Sequence, residues 1–133
     1  MRTPNGLIGH LLVVEPEALL RWSLATYLSK WFDVFPTDSR EAALRILDDH
    51  RVDGAVISDQ LAPGSAPAIT TRLGLRDPNV TVVYTVTHAE TIAAGDRVIL
   101  QIEKPFQLAD LASLLGVEVR DDPGDSAPGG DFE

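Results

Sequence analysis

The feature that most constrains this 133-residue chain is an alternation. Apolar, β-branched-rich runs bounded by turn residues take turns with stretches of helical periodicity. The runs are HLLVVE at 10–15, FDVFPT at 32–37, GAVISD at 54–59, NVTVVYT at 79–85 and RVILQI at 97–102. The second reads as peripheral and the last is the weakest in pattern. Continuous apolar runs, rather than strict alternation of polar and apolar residues, suit strands buried on both faces of a parallel sheet.

The intervening segments carry helix signals. Over residues 17–31, Leu20, Leu24, Leu28 and Trp31 recur at helical spacing, leaving Arg21 and Lys30 for solvent. Asp38-Ser39-Arg40-Glu41 reads as an acidic capping box ahead of Ala43, Ile46 and Leu47. Residues 66–75 predict a shorter helix with Pro67 in its first turn. Thr87-His88-Ala89-Glu90 is a second capping box, with Gly95 limiting the helix to about two turns. Residues 107–115 close the series, with a stripe of Leu108, Leu111, Leu114 and Leu115 and a stop at Gly116. The order βαβαβαβαβα predicts an α/β three-layer sandwich: a five-stranded parallel sheet with helices on both faces.

One domain accounts for this, over residues 9–116, with a short extension at 1–8. The segment 117–133 is rich in Asp, Pro and Gly and is expected to be a disordered acidic tail. Eleven basic against twenty acidic residues give a formal charge of −9, which repels nucleic-acid phosphates and anionic lipid. There is no cysteine, so disulfides, thiolate metal sites and thiol catalysis are excluded. No apolar run is long enough to cross a bilayer, and the first residues do not form a signal peptide. A cytoplasmic domain, with no direct nucleic-acid or membrane partner, is the expectation.

In an open parallel sheet, ligands sit outside the carboxyl ends of the strands. The polar groups standing there are Glu15, Asp59, Thr85 and Lys104: two acids, a hydroxyl and an ammonium. Such a set suits a divalent cation and a phosphoryl group. Asp59 alone has a plainer explanation, because aspartate favours strand ends and turns. Its coincidence with the other three argues for chemistry.

Four pieces of sequence, taken in order, resemble a response-regulator receiver domain, the phosphoryl-accepting module of two-component signalling. They are LLVVE in the first run, D-x-x-x-P-G from Asp59 to Gly64, the Thr ending VVYT, and EKPF at 103–106. EALLRWSL also resembles the first helix of nitrogen-regulation-type receivers. The resemblance covers residues 9–116 and implies a flavodoxin-like topology. It implies that Asp59 accepts a phosphoryl group from a histidine kinase or a small phosphodonor, and that Thr85 and Lys104 bond the phosphoryl oxygens. It implies magnesium held by Glu15, Asp59 and the Leu61 carbonyl, a cis Lys104–Pro105 bond, and Lys104 within salt-bridging distance of Asp59. Its partners would be a histidine kinase or phosphotransfer protein and a downstream target. It would not be an enzyme beyond catalysing its own phosphorylation and dephosphorylation.

Three departures stand beside the resemblance. Pro16 occupies the place of the acid that binds magnesium directly, and proline has no side-chain donor atom, so metal binding is expected to be weakened. Gln101 stands where the family has an aromatic switch residue. The span from Asp59 to Lys104 is several residues short, in the third and fourth helices. These departures make a phosphorylation-independent pseudo-receiver, a pure protein-interaction module, the alternative. A nucleotide-binding enzyme is set aside because Glu15-Pro16-Glu17 is no phosphate loop. His10, His50 and His88 are too scattered to suggest zinc. Trp22 and Trp31, nine residues apart, point to opposite sides of one helix, so one is expected to be exposed.

Overall fold

A computed structural model describes residues 7–87 and 100–117. Its elements are β1 (Gly9–Val14), α1 (Ala18–Leu28), β2 (Phe32–Thr37), α2 (Arg40–Asp49), β3 (Gly54–Ser58), α3 (Ser65–Arg76), β4 (Thr81–Val86), β5 (Leu100–Glu103) and α4 (Leu108–Leu114). All strand pairs are parallel, in the order β2-β1-β3-β4-β5. The expected parallel α/β layering is therefore present. The helix expected over 87–95 lies outside the described residues apart from Thr87, as do the first six residues and the expected acidic tail 117–133 apart from Val117, which is buried.

The sheet divides two cores. Leu12, Val14, Ala55, Ile57, Val82 and Tyr84 face α2 and α3, while Leu11, Val13, Val56 and Val83 face α1 and α4. Every residue of β3 is buried, which is why its sequence shows no polar alternation. β2 is only partly buried, with Asp33 and Pro36 exposed, and Pro36, which lacks a ladder donor, is tolerated on an edge strand.

The helix ends were read to within a residue or three. α1 starts after Glu17, whose carboxylate accepts from the Leu19 and Leu20 amides, and it stops at Leu28 rather than running on to Trp31. Trp22 is 65% exposed, while Trp31 packs on the α1/α4 core and against Tyr27. The cap of α2 is Ser39, not Asp38: its hydroxyl accepts from the Ala42 amide. Gly64 precedes α3 with φ of 82°, a conformation that costs glycine little, and so turns the loop after β3 into the helix.

Strand order reverses beside β1: its neighbours β2 and β3 leave it in opposite directions across the sheet. In such a sheet the crevice for ligands opens at that switch point, above the carboxyl ends of β1 and β3. Those ends are followed by Glu15 and Asp59.

Candidate functional site

Each site residue is carried to the rim by a strand ladder that runs one step past the strand. The Glu15 amide donates to the Thr37 carbonyl (2.9 Å), Asp59 to Thr85 (3.0 Å) and Lys104 to Val86 (2.8 Å). The Lys104–Pro105 peptide is cis, as the resemblance implies.

Glu15 lies on the inner side of the site and is only 1% exposed. Its Oε1 accepts from Lys104 Nζ at 3.1 Å and its Oε2 from the Glu17 amide at 2.9 Å. A buried carboxylate without a counter-charge is costly, so this pairing is what allows Glu15 to be there at all. Lys104 Nζ also donates to Ser58 Oγ at 3.2 Å and to Gln60 Oε1 at 2.7 Å. An ammonium has three N–H donors, and three acceptors among the described residues surround this one.

That arrangement corrects one expectation. The ion pair of Lys104 is with Glu15, not with Asp59. Glu15 is buried while Asp59 is exposed to water, so the ammonium serves the acid that solvent cannot.

Asp59 belongs to a separate set of contacts. Its Oδ2 accepts from the Thr87 amide at 3.0 Å and from the Thr87 hydroxyl at 3.1 Å. The expected hydroxyl, Thr85, is elsewhere. The β3–β4 register pairs Ser58 with Thr85, so Thr85 still lies within the sheet, 1% exposed, and its Oγ1 has no hydrogen-bond partner among the described residues. β4 begins at Thr81 and runs on through Val86, and the hydroxyl that overhangs the rim is that of Thr87. Beside Asp59 an open depression of about 190 Å³ is lined by Ser58, Leu61, Pro63, Ala66 and Tyr84. It leaves the acid approachable from solvent.

A divalent cation needs several free oxygen donors. Both oxygens of Glu15 are engaged, one by an ammonium; Glu17 is committed to capping α1; Pro16 offers no side-chain donor. Among the described residues no group of three His, Asp or Glu side chains is placed to hold a metal. Asp59 and the main chain around Leu61 remain. The residues present therefore do not fit the three-contact magnesium centre that the resemblance implies.

Gln101 pairs in register with Tyr84, which is buried on the α2/α3 side with its hydroxyl 2.7 Å from Thr70 Oγ1. Burial raises the Tyr84 pKa above its ordinary 10.0, opposed by the Thr70 hydrogen bond.

No protein-family model and no curated protein matches the sequence. Solved structures do match. A response-regulator receiver protein from Sinorhizobium medicae WSM419 superposes with a TM-score of 0.71 at 25% identity, over 80% of this chain and 90% of that one. The chain has the fold of a response-regulator receiver domain. A CheY-like receiver domain protein from Methanospirillum hungatei JF-1 gives 0.68 at 15% identity, over 80% and 90%. A Burkholderia pseudomallei response regulator gives 0.68 at 17%, over 80% of this chain and 65% of that one. That structure contains a phosphorylated aspartic acid, a calcium ion and citrate. Sequence reasoning singles out Glu15, Asp59 and Lys104, which stand at the ends of their strands, but not Thr87, which touches Asp59, or Gln60, which touches Lys104. The signal for Thr87 lies in T-H-A-E, which reads equally as a helix cap. Nothing in the sequence distinguished Gln60. No helix among the described residues is long and apolar enough to cross a membrane.

Proposed function

We propose that this receiver-fold domain works in response-regulator signalling by accepting a phosphoryl group on Asp59 from a histidine kinase or phosphotransfer protein. It would then pass the signal on through contacts with a downstream target protein. The observation that carries this reading is the pairing of an exposed carboxylate with an amide and a hydroxyl from one residue, Thr87. In the transfer, an Asp59 carboxylate oxygen forms a bond to phosphorus. The bond from phosphorus to the donor breaks, and the donor leaves with its electron pair. The barrier is the repulsion between a carboxylate and an anionic phosphoryl group. The Thr87 N–H and O–H at the Asp59 carboxylate offset it, joined by the Lys104 ammonium once one of its N–H groups is released from its present acceptors. No step is assigned to a metal.

The shortage of metal donors favours a second reading, a pseudo-receiver that binds partners without phosphorylation. Wild type and Asp59→Asn treated with a small acyl phosphate, with and without magnesium, separate the two by intact mass. Phosphoryl acceptance adds one phosphoryl mass to the wild type and none to the variant. An unmodified wild type at high magnesium leaves the pseudo-receiver.

A further inference from the structure

We infer that Gln60 is a positioning residue: a neutral placeholder on Lys104 that an incoming phosphoryl oxygen displaces. This deepens the proposed function and rests on it.

The three acceptors around Lys104 Nζ are not equivalent. Glu15 is 1% exposed and Ser58 is fully buried, so neither can move out without leaving a buried group unsatisfied. Gln60 is exposed, and its side chain gives Lys104 its shortest contact, 2.7 Å. Its main chain is fixed independently, because the Gln60 amide donates to Ser58 Oγ at 3.1 Å. The side chain can therefore swing into water while the backbone stays in place. Gln60 also directly follows Asp59 in the chain, and both residues are exposed. A phosphoryl oxygen on Asp59 is anionic, and hydrogen bonds to charged acceptors are about twice as strong as those to neutral ones. A neutral amide holds the ammonium in position and yields to that anion. A carboxylate at the same place would not yield.

Three variants test this: Gln60→Ala removes the placeholder, Gln60→Asn shortens it, and Gln60→Glu charges it at constant shape. The first reading is the affinity for beryllofluoride, with magnesium present. We expect Gln60→Ala and Gln60→Asn to bind several-fold more tightly than wild type, and Gln60→Glu at least tenfold more weakly. The loss in Gln60→Glu should persist in 1 M salt, where repulsion acting through solvent is screened within about 3 Å. A loss that salt abolishes, or affinities unchanged across the series, would overturn the placeholder role. The second reading is the Lys104 ammonium resonance in 15N NMR of the free protein, which needs no phosphoryl chemistry. It should shift in Gln60→Ala and, in the opposite sense, in Gln60→Glu. If wild type binds no beryllofluoride but these shifts occur, the proposed function fails while the Gln60–Lys104 contact stands. An unmoved resonance in both variants removes the contact itself.

Discussion

The two sides of the rim carry acids of the same charge in opposite circumstances. Glu15 is buried, paired with Lys104 and hydrogen-bonded to the start of α1. Asp59 is exposed, its carboxylate held only by the donors of Thr87 among the described residues. The first arrangement resists change, because breaking it strands a charge away from water. The second leaves a carboxylate oriented and accessible. The buried arm is a scaffold that holds an ammonium at the rim, and the exposed arm is where chemistry can occur.

The contrast breaks most severely at Lys104. Lys104→Met leaves Glu15 buried without a counter-charge, and we expect a loss of about 3–5 kcal/mol in denaturant unfolding. Asp59→Asn should cost under about 1 kcal/mol, as a change at an exposed site does. Similar losses from both would erase the distinction between the arms.

Pro16→Asp places a carboxylate between the two arms, at the first residue after Glu15. We expect magnesium affinity, read by titration calorimetry, to tighten by about tenfold, the worth of roughly 1.4 kcal/mol. Unchanged affinity would mean that position 16 does not face the cation.

The two threonines sharpen the comparison further. Thr87→Ala removes a hydroxyl that touches Asp59 and should slow phosphoryl capture about tenfold, roughly 1.4 kcal/mol of barrier. Thr85→Val replaces a buried hydroxyl without a partner among the described residues, and it should leave capture unchanged while raising stability by about 1 kcal/mol. The reverse pattern would restore the role first expected of Thr85.

The smallest expected effect lies away from the rim. Tyr84 has a folded pKa above its ordinary 10.0, so above that pH the unfolded chain loses its proton first and stability falls as pH rises. Tyr84→Phe should remove that part of the alkaline slope and, with it, the Thr70 hydrogen bond worth about 1 kcal/mol. Unfolding curves at pH 9 and pH 11 would show it.

The sheet was legible because β1, β3 and β4 are buried on both faces, and burial of that kind leaves unbroken apolar runs. Glu15 and Asp59 stand out in the sequence because each directly follows such a run, and Lys104 because Pro105-Phe106 follows it at the end of the only partly buried β5. Thr87 was missed through the end of one strand: NVTVVYT was closed at residue 85, whereas β4 continues through Val86 and carries the next hydroxyl to the rim. The partner of Lys104 was beyond the sequence for a different reason. Which of two acids takes an ammonium depends on which is cut off from water, and burial is a property of the packed molecule. Gln60 was invisible for the same reason, since its importance comes from a contact across 44 residues.

The most direct test of Asp59 as the phosphoryl acceptor is to locate the modification chemically. After treatment with a small acyl phosphate, borohydride reduces an aspartyl phosphate to homoserine, which peptide mass spectrometry can place. We expect homoserine at position 59 and nowhere else. Homoserine at another acid, or a protein left unreduced throughout, would contradict the assignment.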